Sequence, residues 1–318
     1  MMRRGIALIA LCFAAAATAA GYPSIKSKLV PIKVTERVYY VQGQPGIASA
    51  ANEGYNSNAG FVITDDGVVV IDALGTPALG DALLKAIRTV TPKPVKLVIL
   101  THYHADHFYG LPPMKRAGAA IWAHRAALEY LDSGEGQRRL EQRARDLFPW
   151  VDADTPLIRA DLWLDGDTAF KQGGVKFDVY HFGPAHSPED LVIVVPGERV
   201  MFSGDILFTG RIPFVGEADS KAWLKRIDRL IALGPTLMVT GHGESSRDPN
   251  KDLVLTRDYL AYLRATMGKA VEDFVPFEEA YAKTDWSRFA KVPAFDAANR
   301  VNAYGTYLLM ERESLQKK

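Results

Sequence analysis

The chain has 318 residues, 38 Lys and Arg against 37 Asp and Glu, a formal net charge of +1 and 48% hydrophobic residues. So balanced a charge leaves no electrostatic footprint for a polyanion and argues against nucleic acid as a partner. The length and apolar content are ample for one large core, or for two halves that share one.

Taken from the N-terminus, Arg3 and Arg4 precede a short apolar run over residues 5–17, and Ala17-Thr18-Ala19-Ala20 offers small residues for cleavage. That is the pattern of a secretory signal peptide over residues 1–20, cut near Ala19 or Ala20. The run falls short of the ~20 residues needed to span a bilayer, so no stable membrane insertion is expected after cleavage. Cys12, the one cysteine, lies inside this segment. An exported, secreted or periplasmic chain over residues 21–318 then has no disulfide, and any metal site in it must use histidine and carboxylate. Removal of two arginines and no acid leaves a net charge of about −1.

Short apolar runs follow, with strands predicted at 38–42, 61–64 and 68–72 and a hairpin turn at Asp65-Asp66-Gly67. Leu79, Leu83, Leu84 and Ile87 recur at helical spacing within 76–89, and a buried strand is expected at 95–100. Later strands are predicted at 168–170, 175–180, 191–195, 200–203 and 237–240, with a helix at 219–232. This order implies an α/β fold with helices on the outer faces of sheets. Three segments fall outside it: a Gly/Ala/Asn-rich loop at 43–57, a charged helical insertion at about 124–164, and a helical C-terminal tail from about 252 to 318. Loops and insertions of this kind commonly shape binding sites.

The segment Thr101-His102-Tyr103-His104-Ala105-Asp106-His107 follows the apolar strand at 95–100. Residues two apart at a strand end face the same way, so His102 and His104 can grip one ion, and Asp106 and His107 can address a second as the chain turns. His186, Asp205 and His242 each follow a further apolar run and are expected at the same sheet edge. Two dications about 3.5 to 4 Å apart need a carboxylate between them, and Asp205 is the natural bridge. His124 reads as a helix-start or surface residue and His181 as a structural one.

His-X-His-X-Asp-His followed by spaced His, Asp and His resembles the metallo-β-lactamase fold superfamily over roughly residues 32–245. The resemblance implies an αββα four-layer sandwich, two mixed sheets with helices outside. It assigns His102, His104 and His186 to one metal, Asp106, His107 and His242 to the other, and shares Asp205. Asp72 matches the strand-end aspartate that supports the ligand loop. Phe108-Tyr109-Gly110 replaces the small pair that often follows the ligand block, and His186-Ser-Pro-Glu-Asp190 varies the usual His-Thr-X-Gly-Asp. Asn58-Ala-Gly-Phe61, Asp205-Ile-Leu-Phe208 and the run from Gly210 to Gly216 resemble an exported, quinoprotein-relay or SoxH-like branch.

The expected activity is a binuclear zinc hydrolase, with iron or manganese as alternative metals, in which a metal-bound hydroxide attacks an ester, thioester, lactone or amide of a small molecule. Asp106 is the expected catalytic carboxylate, orienting the nucleophile and moving its proton. Tyr103, Tyr109 and Arg211 are candidate substrate contacts, Arg211 for an anionic group. The alternatives are a β-lactamase-type antibiotic hydrolase and a mononuclear iron enzyme of the same fold that oxidises sulfur compounds. Metal content separates them.

Overall fold

In the computed structural model, residues 21–316 are described, apart from Glu217 and Pro235. The expected signal segment, residues 1–20, lies outside the described residues. No helix among the described residues is long and apolar enough to cross a membrane.

The first half builds a sheet of β1 (Ile32–Lys33), β2 (Val38–Val41), β3 (Ala59–Ile63), β4 (Val68–Ile71), β5 (Val95–Ile99), β6 (Ala120–His124) and β7 (Leu162–Leu164), in that spatial order. It is antiparallel from β1 to β4 and parallel from β4 to β7. Alternation explains the continuous apolar runs: Val68 and Val70 face one core while Val69 and Ile71 face another. A strand covered on both sides has no polar face to show. Helix α1 (Pro77–Val90) crosses from β4 to β5, started by Thr76, whose side chain accepts from the Leu79 N–H at 3.1 Å, with Pro77 at the first helical position. The short helices α2 (Ala105–Phe108) and α3 (Leu111–Arg116) then lead into β6.

The insertion holds α4 (Ala127–Asp132) and α5 (Glu135–Asp146). It is helical in its first part, but His124 closes β6 and residues 162–164 form β7, so its ends are strands of the sheet and 147–161 is irregular. The second sheet has the order β12-β11-β10-β9-β8, from β8 (Thr168–Gln172), β9 (Val175–His181), β10 (Leu191–Val195), β11 (Val200–Phe208) and β12 (Leu237–His242). It is antiparallel except for the β11/β12 pair. Helix α6 (Ser220–Ala232) joins those two strands, and α7 (Pro249–Glu272), α8 (Phe277–Lys283) and α9 (Phe295–Gln316) form the helical tail.

Three apolar clusters define the layers. One joins the first sheet to α1, α3 and the insertion, one joins the second sheet to α6 and the tail, and the third, with Val69, Ile99, Val179, Ile193 and Phe202, lies between the sheets. The result is helix, sheet, sheet, helix. Each fully buried aliphatic side chain contributes roughly 1.5 to 3 kcal/mol by leaving water, so two sheets covered on both faces hold loop ends at fixed positions. The seam between halves is also hydrogen-bonded: the Asn58 N–H donates to the Gly241 carbonyl, the Asn58 amide to the Thr240 and Gly243 carbonyls, and the Leu191 N–H to the Thr101 carbonyl, each at 2.8 Å.

Candidate metal centre

The chain leaves β5 at Ile99 and passes through Leu100 and Thr101 to His102, so the first candidate residues exit from the C-terminal end of a parallel strand. His104 stands at the N-cap of α2, whose four residues carry Asp106 and His107. Asp72, just past β4, has φ 63°, a left-handed backbone that a short polar side chain tolerates. Its carboxylate accepts from the Thr101 N–H at 2.8 Å, the Thr101 hydroxyl at 2.8 Å and His107 Nδ1 at 2.9 Å.

From the second half, Asp205 lies in β11 just after Gly204, whose φ of 49° marks an irregularity in the β11/β12 register. Such a bulge re-aims the next side chain. His242 ends β12, and His186 lies in the loop between β9 and β10. His102, His104, His186 and Asp205 offer ligand atoms within 4.8 Å of one another, as do Asp106, His107 and His242. Asp205 is central to both groups. Its oxygens lie 3.3 Å from His186 Nε2, 3.3 Å from His242 Nε2, 3.4 Å from His107 Nε2 and 3.8 Å from His102 Nε2. Asp106 Oδ2 is 3.4 Å from His242 Nε2 and 4.0 Å from His107 Nε2, and His104 Nδ1 meets His186 Nε2 at 2.8 Å.

The outer hydrogen bonds fix which ring nitrogens face inward. Carboxylate Asp72 only accepts, so His107 Nδ1 must carry the proton it donates. Thr101 spends its hydroxyl proton on Asp72 and can therefore only accept from His102 Nδ1, 3.0 Å away. His242 Nδ1 donates to the Asn56 carbonyl at 2.7 Å. Each of these imidazoles thus turns Nε2 toward the centre, the nitrogen through which the neutral ring binds a metal. Nε2 of His102 and of His107 and Oδ1 of Asp205 are buried with no hydrogen-bond partner in the protein. Ligand atoms around a tetrahedral ion with bonds of ~2.0 to 2.1 Å stand roughly 3.3 Å apart. The 3.3 and 3.4 Å separations around Asp205 fit that spacing, and five imidazoles with two carboxylates form a donor set suited to a divalent transition metal.

Charge divides the cluster. Burial, then the nearby His107 and His104 rings, holds His102 well below the ordinary histidine value. Burial, then His186, brings His104 down to about 3, and burial brings His186 to about 4 although Asp205 opposes it. His107 behaves oppositely: burial disfavours its charge, but Asp205, Asp72 and Asp106 outweigh burial and raise it well above the usual range. Burial would also raise Asp106 and Asp205, yet His107 and His242 hold both below the ordinary carboxylate value.

Packing supports the rings. Phe208 stacks on His242 with centroids 5.0 Å apart, and Trp223 meets His186 edge-on at 5.3 Å. Tyr103 and Tyr109, expected at the cleft wall, are instead fully buried in the first core. The Tyr103 hydroxyl donates to the Ile158 carbonyl at 3.1 Å and its ring packs on Phe108. The turn through α2 sends both aromatic rings inward. Arg211 is also buried, 8% exposed; its Nη1 donates to the Gly46 carbonyl at 2.9 Å, while its Nε has no partner. His124, buried at the end of β6 and not on the surface, stacks on His181 with centroids 3.6 Å apart.

Residues with no sequence motif complete the surroundings. The Asn56 amide donates to Asp106 Oδ2 at 2.8 Å, and the Ser57 hydroxyl donates to the Asp106 carbonyl. Glu189 accepts from the Tyr103 N–H at 3.0 Å, between the two histidines of the ligand block.

The family model for the metallo-beta-lactamase superfamily matches residues 52–242, and the chain belongs to that superfamily. It is 24% identical over 235 residues to a linear primary-alkylsulfatase of Pseudomonas sp., covering 62% of this chain and 44% of that protein. It is 27% identical over 195 residues to a metallo-beta-lactamase type 2 of Elizabethkingia meningoseptica, covering 60% of this chain and 70% of that one. Among solved structures, a metallo-beta-lactamase from Pontibacter korlensis superposes with a TM-score of 0.58 at 23% identity, over 73% of this chain and 99% of that one. A stereoselective inverting sec-alkylsulfatase from Pseudomonas sp. gives 0.67 at 19% identity, over 88% of this chain and 50% of that one. These structures share the fold. The chain spans less than half the length of the primary alkylsulfatase it matches.

Proposed function

We propose that the protein is an exported hydrolase that holds two divalent ions, zinc by preference, and cleaves an ester, thioester, lactone or amide bond of a small molecule. His102, His104 and His186 would hold one ion, Asp106, His107 and His242 the other, and Asp205 both. The observation that carries this reading is the position of Asp205, within 3.8 Å of four imidazole nitrogens drawn from both groups. A carboxylate enclosed by bare ring nitrogens is what a bridged pair of dications requires. Bound ions would supply an activated water at neutral pH and polarise the oxygen of the scissile group.

The chain's own groups do the rest. Asp106, held as the carboxylate, accepts a proton from the attacking water and can return it to the leaving group. Asp72, Thr101 and Asn56 keep three rings in the tautomer that leaves Nε2 free. Arg211, whose Nε is buried without a partner, would be the group to meet an anionic part of the substrate. The alkylsulfatase relative adds sulfate esters as a second substrate reading, which this cation also favours.

The test is metal analysis of the purified chain beside a panel of thioester, lactone, β-lactam, sulfate-ester and phosphodiester substrates, with His104→Ala run in parallel. Two zinc ions per chain and hydrolysis that disappears in the variant are expected. One iron per chain, or full activity in a variant that has lost its metal, overturns the proposal.

A further inference from the structure

Asn56 touches the second ligand group twice, from one residue. Its side-chain amide donates to Asp106 Oδ2 at 2.8 Å, and its backbone carbonyl accepts from His242 Nδ1 at 2.7 Å. Those two side chains are themselves 3.4 Å apart and come from opposite halves of the molecule. The amide can face only one way: turned over, it would set its oxygen against an ionised carboxylate. Its Oδ1 is consequently left buried, in a residue 6% exposed, with no hydrogen-bond partner in the protein. An asparagine present only to secure the loop would be expected to satisfy both ends of its amide. This one leaves an acceptor unpaired in order to hold Asp106.

We propose that Asn56 is a positioning residue that couples Asp106 and His242 into one ligand group and so sets the affinity of the second ion without affecting the first. The proposal rests on the two-ion reading above. No contact joins Asn56 to the residues of the first group among the hydrogen bonds described, whereas both of its bonds to the cluster go to the second. Substitution of the side chain leaves the carbonyl bond to His242 in place, so the effect of the amide on Asp106 can be isolated.

The experiment is cobalt titration of the metal-free full chain, followed by the visible absorption of each bound ion, for wild type, Asn56→Ala and Asn56→Leu. Ile47→Ala, at an exposed position of the same loop, serves as a control. Loss of an outer hydrogen bond to a ligand costs about 10 to 100-fold in metal affinity. Both Asn56 variants should weaken the second cobalt ion by that factor, while the first ion keeps its wild-type affinity. Unchanged affinity for the second ion, or equal weakening of both, overturns the proposal. A wild-type chain that binds only one cobalt ion overturns the two-ion reading instead, and the two failures are thereby distinguished. If neither Asn56 variant folds, wild-type protein labelled with 15N-asparagine decides the matter. The Asn56 side-chain amide resonances should move with the second equivalent of zinc, and movement complete at the first equivalent overturns the assignment.

Discussion

His102, His104 and His186 are kept neutral by burial and by one another, whereas His107 sits among Asp72, Asp106 and Asp205, which favour its charged form. The first group is ready for a cation without giving up a proton. The second must release the His107 proton before that ring can bind, and it gains more from a cation because that proton is part of what balances its carboxylates. Two groups that share Asp205 are therefore expected to fill differently: the first with little dependence on pH, the second with proton release and a steeper dependence.

The largest break in that comparison comes from Asp205, whose oxygens lie near rings of both groups. Asp205→Asn should lower hydrolysis on the order of 10² to 10³-fold, the range for removing one preorganised charge, and weaken both ions together in metal analysis. Loss of only one ion would show that the carboxylate does not bridge. His186→Ala and His242→Ala sharpen the distinction, since each should weaken one ion by more than about 100-fold and spare the other, as separate steps in a cobalt titration. Asp72→Asn should weaken the second ion by about 10 to 100-fold and reduce the protons released on its uptake, measured with a pH indicator. Arg211→Met should raise KM for an anionic ester by about tenfold while kcat stays nearly constant, because a single hydrogen bond to uniformly bound substrate is removed.

The smallest effect is on the stability of the metal-free chain. A histidine whose folded pKa is depressed takes up its proton preferentially when unfolded. The stability it supports is complete above about 6.5 and is lost as pH falls toward its folded value, about 4 for His186 and about 3 for His104. His107, raised by its carboxylates, contributes in the opposite sense: its share is present below about 6.5 and fades as pH rises through its elevated value. Three depressed rings outnumber one raised ring, so the urea midpoint of the metal-free chain should drop between about pH 6.5 and 4. A midpoint that rises over that window would contradict the neutral state of the first group.

The doubly buried strands and the ligand block were readable in the chain because their signals are local: four consecutive apolar residues in β4, and four candidate ligands between His102 and His107. His186, Asp205 and His242 needed a family pattern as well, since only the pairing of β11 with β12 brings the last two together. Tyr103 and Tyr109 misled because an aromatic residue beside a ligand looks the same in sequence whether its ring faces a cleft or the core. Asn56 was silent for another reason. It lies in a loop without periodicity, and its partners are 50 and 186 residues away. The strand at the far end of the insertion, β7, carries too weak a signal to read: it has only three residues, one of them exposed.

Gly241 carries a last consequence. A methyl group there would fall 1.9 Å from Asp205 Oδ1, inside the carboxylate itself. The Asp205 carboxylate therefore occupies the volume that the neighbouring strand leaves vacant, and the two strands can exchange side-chain bulk in one direction only. Gly241→Ala should act on the centre as severely as loss of Asp205, although it removes no ligand, and a library randomised at 241 should return glycine alone among active clones.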